Sequence, residues 1–221
     1  MTTGVRLRFD KELAKLNESV WELGALAEQS VVRAMKALVD GNSELAREVM
    51  AADQEINKRR FGVEHDCYAL LVTEQPVARD MRVIISALSV TNDLERIGDH
   101  GKKIARTYLR MLENPRPIPT GDIQRLSGMA VAMLERALRA YASDDVAEAN
   151  AVCAADDDAD ALYKQTFNVI LSYMLENPRL IGVGTYLIQI AHELERVADR
   201  ATNIAERVIY ASTGELLDLN V

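Results

Sequence analysis

Leu94-Glu95-Arg96-Ile97-Gly98-Asp99 returns one hundred residues later as Leu194-Glu195-Arg196-Val197-Ala198-Asp199, and Ile104-Ala105 and Ile204-Ala205 extend the match in register. A period of that length is too long for a solenoid unit and sufficient for a small bundle, so one plan is used twice. Apolar residues recur at three-four spacing around both copies. Ala87, Leu94, Gly101 and Tyr108 alternate with Val83, Val90, Ile97, Ile104 and Met111. Leu187, Leu194, Ala201 and Val208 alternate with Val183, Ile190, Val197, Ile204 and Ala211. Seams held over so many turns predict long helices packed nearly parallel to their neighbours.

Composition points the same way. Only 5% of the residues are aromatic, and the five prolines and eleven glycines are few for 221 residues, which leaves room for uninterrupted helices. Three of those prolines fall in Glu113-Asn-Pro-Arg-Pro-Ile-Pro-Thr-Gly-Asp122, near the midpoint. We therefore expect an all-α protein of two tandem three-helix bundles, residues 1–113 and 120–221, joined by a Pro-rich linker at 114–119. In the first bundle the helices are predicted from near Asp10, a plausible N-cap, to Asp40, from Ser43 to Thr73, and from Arg79 to Met111. In the second they are predicted over Asp122–Tyr141, Asp144–Leu175 and Arg179–Ser212. Met-Leu-Glu-Asn-Pro-Arg occurs at both 111–116 and 174–179, out of step with the hundred-residue repeat. It reads as helix-stopping chemistry, Asn tolerating a left-handed end and Pro blocking continuation.

Several function classes are disfavoured. A net charge of −8 opposes a chain whose main task is gripping nucleic acid. Cys67 and Cys153 lack CxxC spacing and fall one in each half, which suits reduced thiols better than a disulfide scaffold. The N-terminus has no apolar core for a signal peptide, and the longest uncharged apolar run, Leu180 to Ala191, is too short to span a bilayer. A cytoplasmic location is expected.

The chemistry-bearing residues are acids. Glu95 and Asp99, and likewise Glu195 and Asp199, are four apart and lie away from the apolar seam. Alone, such pairs describe any solvated helix face. The preceding helices add Asp53 with Asn57, and Asp156 with Asp160, again four apart. Asp53 and Asn57 lie 23 and 19 residues before Pro76, and Glu95 and Asp99 lie 19 and 23 after it. Asp156 and Asp160 lie 22 and 18 before Pro178, and Glu195 and Asp199 lie 17 and 21 after it. Residues equidistant from a hairpin turn sit at one height, so each bundle is predicted to bring its acids level on adjacent helices. Gathered carboxylates repel unless cations intervene, and hard oxygens suit Mg, Ca, Mn or Fe, with Zn also admitted. The sequence does not choose among these ions. His192, three residues before Glu195, is either a further ligand or a surface histidine bonded to an acid. A salt-bridge network is the competing explanation, through Arg96, Lys102 or Lys103 in the first bundle and Arg196 or Arg200 in the second.

The doubled Leu-Glu-Arg-Ile/Val-Gly/Ala-Asp, together with Asp-Gln-Glu-Ile-Asn at 53–57, Asp-Asp-Asp-Ala-Asp at 156–160 and Gln-Pro-Val-Ala-Arg-Asp-Met-Arg at 75–82, resembles the PhoU family across essentially the whole chain. That resemblance implies two three-helix bundles side by side. It also implies an acidic signature, Glu or Asp followed four residues later by Asp, that can carry multinuclear metal clusters. The signature maps onto Glu95 and Asp99, Glu195 and Asp199, and Asp156 and Asp160. Asp53 fits as well, but Asn57 departs from the pattern. The family implies a non-catalytic regulator that connects the phosphate ABC transporter, through its ATPase subunit, to a phosphate-sensing histidine kinase. It would restrain uptake and starvation genes when phosphate is plentiful, touching the membrane only through its partners. A homodimer is expected for bundles of this length.

A metal-dependent helical-bundle enzyme is the alternative. Di-iron carboxylate chemistry needs inward Glu-x-x-His pairs. Here Gly62, Ile97 and Gln189 stand three residues before His65, His100 and His192. His192-Glu193 opens like a zinc-protease motif, but Arg196 occupies the second histidine position. A purely structural bundle is a third possibility.

Overall fold

A computed structural model describes residues 2–113 and 117–215. Its helices are α1 (Thr2–Asp40), α2 (Ser43–Glu74), α3 (Arg79–Met111), α4 (Gly121–Ser143), α5 (Val146–Ala154), α6 (Asp156–Glu176) and α7 (Ile181–Thr213), with a 3₁₀ turn at Pro178–Leu180. No strand occurs among the described residues. α5 and α6 are two halves of one broken rod, so the plan is six rods in two sets of three. α3 has the span predicted for it. The apolar positions of both seams are buried or nearly so, with Leu94, Ile97, Ile104, Leu187 and Leu194 almost wholly excluded from water. No helix of the described residues is long and apolar enough to cross a membrane.

α1 begins eight residues before the predicted start. Asp10 does not cap it: its carboxylate pairs with Arg6 one turn back, at 2.9 Å. Buried Phe9 and the contacts of Arg6 with Asp80 and Arg8 with Glu74 hold these turns against the α2–α3 hairpin. Tertiary contacts thus extend a helix for which the local pattern offered no earlier start.

The second difference from the predicted helices is a break in the one expected over Asp144–Leu175. Asp144 is the left-handed end of α4, and Asp145 caps α5 by accepting from the backbone N–H of Ala147 and Glu148, both at 3.0 Å. α5 then ends at Ala154, and α6 starts at once with Asp156, Asp157 and Asp158 in its first turn. Three acids near a fresh helix N-terminus meet the positive end of its dipole. Asn177 stops α6, but from extended backbone and not the left-handed region expected (φ −139°, ψ 98°). Its side chain accepts from Arg179 N–H and so starts the 3₁₀ turn. The matching Asn114 lies outside the described residues, as do Pro115 and Arg116.

The two sets meet chiefly where α3 lies along α7, and α1 also touches α4. Apolar residues of all the rods join one continuous core. Ile118, in the Pro-rich linker, is buried against it. α3 can lie close to α1 because Gly101 faces Ser30: a Cβ there would come within 2.7 Å of the Ser30 carbonyl carbon.

Candidate metal centre

The α6–α7 hairpin brings Asp160, Glu195 and Asp199 together. Each offers one carboxylate oxygen, and the three oxygens lie within 4.8 Å of one another. It is the one such trio among the described residues. Asp156, one turn before Asp160, is tied to the same face by Thr202, whose hydroxyl donates to its Oδ1 at 2.9 Å.

Burial and mutual repulsion mark this face. Glu195 is raised from 4.5 to about 7, first by loss of water and then by Asp199, Asp160 and Asp156, against an opposing pull from Arg196. Asp156 is raised by burial, a shift reduced by the Thr202 bond and increased by Asp199, Asp160 and Asp157. Glu195 Oε2 is wholly buried yet accepts no hydrogen bond. Its neighbours His192 Nδ1 and Arg196 Nε stand at 3.4 and 3.5 Å without making a hydrogen bond to it, and a buried carboxylate oxygen left so is costly. The donor set therefore fits a hard cation. Arg196 sits on the rim, 2.9 Å from Asp199 and 3.5 Å from Glu195. His192 Nδ1 is 3.4 Å from Glu195 Oε2, and its ring leans on Tyr163 with centroids 6.1 Å apart.

The α2–α3 hairpin treats its acids differently. Asp53 is buried, and its Oδ2 accepts from Lys102 Nζ at 2.5 Å and from Asn57 Nδ2 at 3.2 Å. Arg96 leans on Glu95 and Asp99 at 3.7 and 3.8 Å. Asp53, Glu95 and Asp99 do not form a trio within reach of one ion. The salt-bridge network foreseen as the competing explanation is present in both hairpins: Lys102 and Arg96 are its cations here, and in the second Arg196 reaches Asp199 while Lys164 donates to Asp160 at 3.2 Å, on exposed side chains in place of the buried Lys102–Asp53 contact.

The comparisons with known proteins align with this duplicated arrangement. The family model of the PhoU domain matches twice, over residues 20–107 and 123–208. The chain belongs to the PhoU family. The phosphate-specific transport system accessory protein PhoU homolog of Rhizobium meliloti is 35% identical over 208 residues, covering 93% of this chain and 87% of that one. The crystal structure of PhoU from Pseudomonas aeruginosa superimposes with a TM-score of 0.90 at 35% identity, covering 94% of this chain and 100% of that one. PhoU from Streptococcus pneumoniae gives 0.89 at 31% identity, covering 95% and 99%.

Two side-chain pairs cross the seam between the PhoU repeats. Arg200 of α7 donates to Asp93 of α3 at 3.1 Å, and His100 of α3 meets Glu193 of α7 at 2.5 Å, with Lys103 3.4 Å away. These are twin positions: 93 answers 193 and 100 answers 200, so each pair is the other turned about the pseudo-two-fold axis of the repeat. Burial raises Asp93 against the pull of Arg200, Asn203 and Arg207. Burial pushes Glu193 in the same direction, but His100 and Lys103 outweigh it and hold that carboxyl below its usual range. Lys103 and Arg200, considered above as partners for the acidic clusters, are used here. The hundred-residue offset could have revealed these pairs had α3 been known to run antiparallel to α7.

Proposed function

We propose that this protein is a non-catalytic regulator of phosphate uptake and phosphate-starvation signalling. It would sit on the cytoplasmic side of the membrane and link the ATPase subunit of a phosphate ABC transporter to a phosphate-sensing histidine kinase. There it acts as a negative regulator when phosphate is plentiful, reaching the membrane only through those partners. The observation that carries this reading is end-to-end likeness, in both repeats, to proteins named as accessory to a phosphate-specific transport system. Deleting the gene in its host tests it: phosphate-starvation genes should then stay active in phosphate-rich medium, and normal repression would reject the role.

The proposal includes a cation at Asp156, Asp160, Glu195 and Asp199, supported by the converging oxygens and by the donor-less Glu195 Oε2. Elemental analysis of wild type and of a variant with all four replaced by alanine tests it, bound metal being lost from the variant. It includes a homodimer as well, which sedimentation equilibrium would detect as a mass twice that of the chain.

A further inference from the structure

The two acidic clusters are twins that differ at several positions, Asn92 against His192 and Phe61 against Lys164 among them, and two of the exchanges bear on the deeply buried Asp53. Asp53, Glu95 and Asp99 answer Asp156, Glu195 and Asp199. Asn57 stands where the second cluster has Asp160, and Lys102 where it has Thr202. Both exchanges bear on the same atom. In the second cluster Asp156 receives only a neutral hydroxyl, from Thr202. In the first, Asp53 Oδ2 receives the Lys102 ammonium and the Asn57 amide together. Asp53 is 95% buried by its 5% exposure, so its charge has to be matched from within the protein.

We infer that Lys102 is a tethered counter-cation standing in the place of a metal ion, so that the first cluster is closed to metal while its twin is open. A lysine ammonium and a divalent ion compete for the same carboxylate oxygens, and the lysine is held at high effective concentration by its own helix. Replacing Asp160's counterpart by an amide removes one further oxygen charge and supplies a donor instead. Metal supply would therefore be felt in the second repeat alone, and the first would keep its packing without it. The inference rests on the second cluster being a cation site.

Mn²⁺ is the probe, with binding followed by calorimetry and by the electron paramagnetic resonance signal of the free ion. Wild type should take up Mn²⁺ in a manner lost in Glu195→Ala and untouched in Glu95→Ala. The double variant Asn57→Asp, Lys102→Thr should double the bound Mn²⁺, and the added half should vanish when Glu95→Ala is included. The reciprocal variant Asp160→Asn, Thr202→Lys should bind none, and its thermal midpoint in EDTA should equal or exceed that of wild type. If the first double variant fails to fold, this reciprocal exchange decides the matter. Loss of wild-type Mn²⁺ in Glu95→Ala, or full retention in the reciprocal variant, would overturn the inference. Should wild type bind no Mn²⁺, the cation reading of the second cluster falls. The role of Lys102 is then decided by whether the Asn57→Asp, Lys102→Thr protein gains a site sensitive to Glu95.

Discussion

At Glu195 a single carboxyl reports the state of the site. Its value of about 7 in the folded chain against 4.5 ordinarily means that, between those pH values, the folded protein holds a proton the unfolded chain has released. Stability from this group is thus present below about pH 4.5 and lost as pH rises toward 7. With EDTA present, the thermal midpoint should fall over that window, and Glu195→Gln should flatten the fall. With Mn²⁺ present, affinity should instead climb with pH, because the ion displaces that proton. Gly101 makes a steric prediction at the same scale. A Cβ there would meet Ser30 backbone at 2.7 Å, and backbone cannot swing aside as a side chain can. Gly101→Ala should lose about 1–3 kcal/mol in denaturant unfolding, as overpacking does. Gly98→Ala should cost less, since its nearest neighbour is the mobile end of Ile56.

Single helices show how far local signals reach. The α3 seam and its ends were legible because a three-four stripe and the Pro76 turn bracket it without ambiguity. The first turns of α1 were not, because their support comes from Asp80 and Glu74, more than sixty residues away. The Ala155 break was invisible too: nothing in Ala151-Val-Cys-Ala-Ala-Asp156 is a helix breaker, and alanine favours continuation. The break matters for the site because α6 starts anew at Asp156. The α5 cap can be weighed separately. Asp145→Ala removes the acceptor for two backbone N–H groups and should cost about 1 kcal/mol in denaturant unfolding. Bound metal should be unchanged, because Asp145 lies outside the acidic trio.

For the whole molecule the seam between repeats governs behaviour. α3 packs against α1 and α2 on one side and against α7 on the other, so no clean surface separates the halves. A fragment of residues 1–113 would expose the α7-facing side of α3, with Asp93 and His100 stripped of Arg200 and Glu193. It should self-associate or bind a hydrophobic dye, and gel filtration would report this. In the intact chain, a double-mutant cycle on Asp93→Ala and Arg200→Ala should show coupling of about 1 kcal/mol. Arg200 is a third exposed, so water screens part of that attraction. Strict additivity of the two variants would remove the pair from any role in joining the repeats.

Sequence alone determined the helical class, the duplication and the heights of the acids along each hairpin, because periodicity, helical rise and the turn prolines are local quantities that survive in one dimension. Of the acids it named, Asp160, Glu195 and Asp199 come together, whereas Asp53, Glu95 and Asp99 do not form such a trio. Only tertiary structure decided which partner each acid takes. Lys102 and Thr202 occupy equivalent turns, yet one delivers a charge to Asp53 and the other a neutral hydroxyl to Asp156. Lys103 and Arg200 leave the clusters for the opposite repeat. A long side chain can reach several partners from one helical position, and the choice depends on burial and on the approach of distant helices, which spacing along the chain does not encode.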